Sequence, residues 1–236
     1  MNRRDFLNFL GKGVFVTSFS PAVLKAMGNV TSQSSKLGIA PSRLDEVILA
    51  SGLEYEILIS WGDKISAKDR FGFNNDYIGF VQGSKKSEGF LWVNHEYVHP
   101  LFFSSKPAEQ KTLSDIKKEM YNVGGSFFKI KHKRGKWDID LSDSLNKRVS
   151  ALDKIKFDNG IIIEGSDTGI GTLANCSGHI TPWNTILTCE ENYDMFYGER
   201  NRKDRSIIKS SYNLGWIKHF PFPPEHYGWV VEIDPF

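Results

Sequence analysis

From residue 55 onward the chain is dominated by short runs of alternating apolar and polar residues, separated by Gly, Asn, Asp and Ser turns. Period-two alternation puts successive side chains on opposite faces of a pleated strand, so these runs predict half-buried β-strands. Tyr55–Trp61 reads as one strand, closed by a turn at Gly62-Asp63-Lys64. Tyr77–Val81 and Gly89–Asn94 pair as a hairpin around the polar Gly83–Glu88. Ser126–His132 turns at Lys133-Arg134-Gly135 and returns as Lys136–Leu141. Ile161–Glu164, Thr185–Cys189 and Gly228–Ile233 complete the set. Pro107–Tyr121 has helical spacing instead, with Leu113, Ile116 and Met120 on one face and Lys117, Lys118 and Glu119 on the wet one. Asn201–Ser206 is a charged loop and Phe220–Pro224 a rigid, extended one. The pattern predicts an all-β fold with one helical insertion. Sandwich, barrel and propeller all satisfy it.

The N-terminus departs from this pattern. Arg3-Arg4, a polar residue and then Phe6-Leu7 match the twin-arginine export signal, which is an address read by translocation machinery. The apolar stretch that follows is interrupted by Lys12, Gly13 and Pro21 and falls short of the roughly 20 residues a membrane span needs. Residues 1–35 are therefore expected to be a leader and polar linker, and 36–236 the exported, periplasmic domain. The alternative is an amphipathic helix with two incidental arginines. The leader also owns the chain's basicity: the whole sequence of 236 residues carries +2, the leader +3, and the remainder about −1. A near-neutral domain gives no reason to expect nucleic acid as a partner, and no membrane anchor is expected after processing. The 21 glycines and 17 phenylalanines suit turn-linked strands, and two cysteines cannot build a disulfide scaffold.

Four polar clusters stand at the ends of predicted strands. Phe71-Gly-Phe-Asn-Asn-Asp76-Tyr77 offers hard oxygen ligands suited to calcium, or else an Asx-turn before a strand. In Trp92-Val-Asn94-His95-Glu96-Tyr97, alternation puts Asn94 and Glu96 on one face with Trp92, although a His-Glu pair at a strand end is also ordinary surface. Gly169–Gly178 surrounds Asn175-Cys176 with glycines, as a ligand or nucleophile in a loop requires, and Glu190-Glu191 follow shortly after. A thiolate beside carboxylates can bind a transition metal with a hard cation alongside. A Cys176–His179 nucleophile and a Cys176–Cys189 disulfide are the competing readings. The fourth cluster, His226–Pro235, puts Glu232 on a strand face that either holds a metal or is a solvated edge. Phosphate loops, nucleophile elbows, HExxH and dinucleotide fingerprints are all missing.

These stretches resemble the PhoX-type alkaline phosphatases. The resemblance is carried by the twin-arginine leader, Trp61-Gly-Asp63, FGFNNDY at 71–77, WVNHEY at 92–97, GTLANCSGHITPWNTILTCEEN at 171–192 and YGWVVEIDP at 227–235. It implies an exported, monomeric phosphomonoesterase on a six-bladed β-propeller, using Fe(3+) and Ca(2+) on phosphate monoester substrates. By this resemblance Cys176 is the thiolate ligand to iron, and Glu191 and Glu232 bind or bridge the metals. Glu96 and Asp76 serve calcium or the pocket wall, and Asn175 and Asn94 orient substrate. His179 and Asn184 stand where the family more often has glycine. Family members are much longer, and about 200 mature residues fall short of six blades at roughly 40–50 residues each. The expectation is therefore a partial propeller, the N-terminal part of such an enzyme, with little activity alone. A non-catalytic β-rich module, or a nonfunctional remnant, is the alternative.

Overall fold

The structure is a computed structural model that describes residues 39, 42–210 and 212–235; the leader and linker expected over 1–35 lie outside them. The chain divides into a unit ending at Ile57 and a unit Leu58–Phe236. In the first, the described residues form bends and a turn closed by the Leu53 N–H on the Ala50 carbonyl at 3.1 Å, with no helix or strand. The expected strand Tyr55–Trp61 makes no ladder among the described residues, and Ile57 is 74% exposed. Its closing turn does form, with Gly62 at φ 88°.

The second unit is mostly β. Strands β1 (Asn75–Gln82) and β2 (Glu88–His95) make the expected hairpin. The four-residue helix α1 (Pro100–Phe103), a 3-10 turn (Ala108–Gln110) and α2 (Leu113–Asn122) lead to β3 (Gly124–Lys133), β4 (Lys136–Ile139) and β5 (Lys147–Val149). These strands form a five-stranded antiparallel sheet in the order β1-β2-β3-β4, with β5 also on β3. Next come the paired β6 (Lys154–Lys156) and β7 (Thr168–Ile170), then β8 (Asn175–Ile180) and β9 (Ile186–Glu190). After α3 (Asp194–Tyr197), β10 (Glu199–Arg200) and β11 (Ile207–Ile208) flank the charged loop, and β12 (Val230–Ile233) completes a three-stranded sheet β12-β9-β8. The sheets have five, three, two and two strands, and no propeller ring closes among the described residues.

The helical insertion is shorter than its spacing suggested. Thr112 stops the helix from extending backward: its hydroxyl accepts the Asp115 N–H while the Asp115 carboxylate accepts the Thr112 N–H at 2.9 Å, a capping box that starts α2 at Leu113. Ile116 and Met120 are buried as expected, but Leu113 is exposed in the first turn. Ile161–Glu164 is not a strand. Glu164 takes a left-handed φ of 46°, which turns the chain so that only an isolated Ile163–Ser166 bridge forms.

β2 and β3 are covered on both faces, which explains their nearly continuous apolar sequences. On one face Phe90, Trp92 and Phe127 pack with Ile186, Val231 and Ile233 of the three-stranded sheet. On the other, Val93, Phe128 and Ile130 pack with Ile65 and Phe71. Each such side chain contributes roughly 1.5–3 kcal/mol by leaving water. Gly125 is required here: a Cβ on it would lie 2.1 Å from the Trp92 indole. A third core joins Ile116 and Met120 of α2 to Trp216, Tyr197 and Tyr227. No helix among the described residues is long and apolar enough to cross a membrane.

Candidate metal centre

The two packed sheets meet where each carries a β-bulge. In the hairpin, Asn75 pairs with His95 and Ile78 with Val93, so Asp76 and Tyr77 together oppose Asn94. In the other sheet, Asn175 pairs with Glu190 and Gly178 with Thr188, so Cys176 and Ser177 together oppose Cys189. A bulge bends its strand and re-aims the extra side chain. The Asn175–Ile180 segment, read from its glycines as a loop, is thus a strand whose ligand-bearing residue is turned out by an irregularity. Gly178 lets the two bulges meet, since a Cβ there would lie 2.3 Å from the Tyr77 ring.

Asn94 ties the bulges together. Its Nδ2 donates to the Cys176 carbonyl at 2.8 Å and the Ser177 carbonyl at 3.2 Å. Its Oδ1 accepts from Trp92 Nε1 at 2.7 Å and Thr188 Oγ1 at 2.8 Å. The residue is buried and these four bonds occupy its amide. Expected to orient substrate, it holds the backbone of Cys176 in place. Asn175 is also buried: its Nδ2 donates to Thr172 and Thr188, and its Oδ1 has no partner among the described residues, an open acceptor next to Cys176.

The outcome is a thiol and two carboxylates that converge. Ligand atoms of Asp76, Glu96 and Cys176 all lie within 4.8 Å of one another, with Asp76 exposed and the other two half-buried. Glu96 stands just beyond β2, where its N–H donates to the Asn74 carbonyl at 3.0 Å. Glu191 sits at the rim, its N–H on the Ala174 carbonyl at 3.0 Å. Ala174 holds a left-handed φ of 51°, a strain of roughly 1–2 kcal/mol for a residue with a Cβ, immediately before Asn175 and Cys176.

Electrostatics mark the cluster as short of positive charge. The Cys176 thiol is pushed up to about 12, first by its hydrogen bond to Asp76, then by burial and by the charges of Asp76, Glu96 and Glu191. Burial raises the Glu96 carboxyl, and the Asp76 and Glu191 charges raise it further; the Tyr97 hydroxyl and Cys176 thiol, donating to it, act the other way. A cation among these groups reverses each of these repulsions. Soft sulfur beside hard oxygens fits a mixed site that takes a transition metal at the thiolate and a hard cation at the carboxylates. The competing readings of Cys176 fare differently. Both cysteines are free, because the bulge aims Cys176 at Asp76 and Glu96, so the Cys176–Cys189 disulfide is not formed. His179 is exposed, and a thiol held this far toward its neutral form is a poor nucleophile.

A family model for alkaline phosphatase PhoX matches residues 35–236. The chain belongs to the PhoX family. Pseudomonas fluorescens PhoX, solved in complex with vanadate, a transition state analogue, is similar in structure with a TM-score of 0.59 at 24% sequence identity. The match covers 76% of this chain and 38% of that one, so this chain spans well under half the length of its PhoX relative. At that identity the likeness is one of fold. No curated protein sequence matches the chain.

Against the PhoX resemblance, the structure brings together Cys176, Glu96 and Asp76, with Glu191 beside them. It does not bring Glu232 to this cluster. Glu232 is in register with Leu187, two strands from Cys176, and its Oε1 accepts from Trp183 Nε1 at 2.9 Å and Thr185 Oγ1 at 2.5 Å. Asn184 has φ 67°, a conformation that glycine or asparagine tolerates, so its exchange for the family's commoner glycine leaves the turn intact. Two participants escaped the sequence reading. Tyr97 was visible only as the residue after Glu96, yet its hydroxyl bonds Glu96 and accepts from Asn192 Nδ2 at 2.5 Å. Glu190 was passed over for Glu191. Its carboxylate accepts from the N–H groups of Gly228 at 2.8 Å, Trp229 at 3.2 Å and Leu173 at 3.3 Å, clamping β9 to two loops, and burial pushes it up to about 7.

Proposed function

We propose that Asp76, Glu96 and Cys176, with Glu191 at the rim, are part of the metal site of a phosphomonoesterase that releases inorganic phosphate from organic phosphate esters. The observation that carries this is the convergence of a thiol and two carboxylates within 4.8 Å in a member of an alkaline phosphatase family. Fe(3+) at Cys176 and Ca(2+) at the carboxylates are the proposed ions, as the PhoX resemblance implies; a thiolate suits a transition metal and carboxylates a hard cation. When bound, such cations hold phosphoryl oxygens and offset the charge that develops on them.

The chain's own residues have distinct tasks in this reading. Cys176 and Asp76 bind from the two bulges. Glu96 binds from the end of β2, steered by the Tyr97 hydroxyl. Asn94 fixes the Cys176 backbone, and Asn175 presents an open acceptor beside it. Export through the twin-arginine machinery to the periplasm, a monomeric state and a partial propeller belong to the same proposal. The Arg3-Arg4 leader is what favours export, and the likeness in fold is what favours the partial propeller.

The test is hydrolysis of p-nitrophenyl phosphate by the chain with calcium and iron supplied, beside Cys176→Ala. Turnover that needs both ions and collapses in the variant supports the reading. Turnover indifferent to chelation and to the substitution overturns it. Cys176-dependent metal uptake without turnover keeps the metal site and places the remaining phosphate-handling groups outside the described residues.

A further inference from the structure

A cavity of about 250 Å³ opens beside the carboxylate side of the cluster. Its wall includes Phe73, Asn74, Tyr97, His99, Met195 and Tyr212, and no Lys, Arg, Asp or Glu lines it. Two of these residues belong to the neighbourhood of the metal ligands. Asn74 lies two positions before Asp76 and its carbonyl accepts the Glu96 N–H. Tyr97 follows Glu96 and its hydroxyl donates to that carboxylate. One tyrosine therefore faces both the cavity and the cluster.

The rest of the wall is aromatic and braced. The Phe73 ring packs at 5.3 Å from Trp61 and 5.1 Å from Phe102, centroid to centroid, and the Tyr97 hydroxyl is held by Asn192. Met195 adds a thioether able to fit against a ring face or edge. An apolar cavity of about 150 Å³ binds benzene, so 250 Å³ gives room for one ring with a substituent.

We propose that this cavity receives the leaving group of the phosphate ester, and that the group it selects is a single aromatic ring without a positive charge. The proposal rests on the phosphomonoesterase reading for its phosphate half and on the cavity for its aryl half. Ring burial against Phe73, Tyr97 and Met195 lowers the energy of an aryl ester relative to an alkyl ester of the same phosphate charge. A cationic leaving group finds no carboxylate in this wall and stays in water.

Three ligands separate the two halves: phenyl phosphate, methyl phosphate and phenol, titrated into the full chain with calcium and iron present. Calorimetry reads affinity, and the Met195 methyl resonance, assigned with Met195→Leu, reports the cavity. Phenyl phosphate is expected to bind at least about tenfold tighter than methyl phosphate, in line with the worth of small apolar groups in fitted pockets. Phenol alone is expected to shift the Met195 methyl. Met195→Trp, which fills the cavity, is expected to abolish the aryl preference and keep methyl phosphate binding. Equal affinity for the two esters, or a phenol titration that leaves Met195 unmoved in the unaltered chain, overturns the proposal without touching the metal site. Binding of phenol with no binding of either ester overturns the leaving-group role through the phosphate half and leaves a ring-binding cavity.

Discussion

Glu119 and Glu96 lie in the same unit and meet opposite fates. Glu119 is fully buried on α2, where Lys111 Nζ lies 2.8 Å away and Trp216 Nε1 donates at 2.8 Å. Lys111 is equally buried and also donates to the Leu214 carbonyl at 3.0 Å. Around Glu96 the neighbours are Asp76, Glu191 and a thiol, and its donors are the neutral Tyr97 and Cys176. In one place charge is cancelled within the chain and the cluster behaves as core. In the other it accumulates, an imbalance that the proposed cation would offset. A pair of identical side chains thus separates what the fold uses to stand from what it keeps for chemistry.

The largest effect should come from breaking the closed pair. Lys111→Met leaves the buried Glu119 carboxylate without its cation and should cost about 3–5 kcal/mol in urea unfolding. Lys111→Met with Glu119→Leu should recover most of that loss, since removing both charges removes the penalty. Next, Asn94→Ala unclasps the two bulges and strands Trp92 Nε1 and Thr188 Oγ1, for a loss of about 2–3 kcal/mol. It should also weaken metal uptake by about 10–100-fold, as loss of a supporting partner does. Thr112→Ala removes one half of the α2 capping box and should cost about 1 kcal/mol, with no change in metal content.

Smaller still is the effect of a half-buried counterpart of the Lys111–Glu119 pair, Lys131 with Asp140. Lys131, then Ser142, hydrogen-bond Asp140 and hold its carboxyl down to about 2, from an ordinary 3.8. Above 3.8 it is ionised folded and unfolded, and its contribution is complete. As pH falls from 3.8 toward about 2 the unfolded chain takes the proton first, so stability is lost across that window. Asp140→Asn should flatten this part of the pH–stability curve, read as urea midpoints between pH 5 and pH 2 (about 5 and about 2 bracket the transition). Smallest of all, Glu96→Gln should leave the metal-free chain as stable as before or slightly more so, because it removes one of several crowded negative charges. A large destabilisation there would erase the contrast with Glu119.

Much of this was legible in the chain. The β1–β2 and β3–β4 hairpins, β9 and β12 follow from alternation and turn residues, and Asp76, Glu96 and Cys176 stood out by residue type. Other parts were hidden for physical reasons. Tyr55–Trp61 alternates well but finds no partner strand, and pairing is not a property of one segment. Asn175–Ile180 reads as a glycine loop because Gly178 is selected by contact with Tyr77, a neighbour distant in sequence. Strands of two or three residues, such as β10 and β7, are too short to show a period. The bulges that aim Asp76 and Cys176 are facts of register, and so is the separation of Glu232 from them. The cavity draws its wall from residues as far apart as Phe73 and Leu214.

In the proposed function Asp76, Glu96 and Cys176 form a cation site with iron on the sulfur. Visible absorption and metal analysis after loading with iron and calcium address it most directly, in the unaltered chain and in Cys176→Ala. Bound iron with a thiolate-to-iron colour is expected in the unaltered chain, and loss of that colour in the variant. A colourless, iron-free chain after loading, or a colour that survives the substitution, contradicts it.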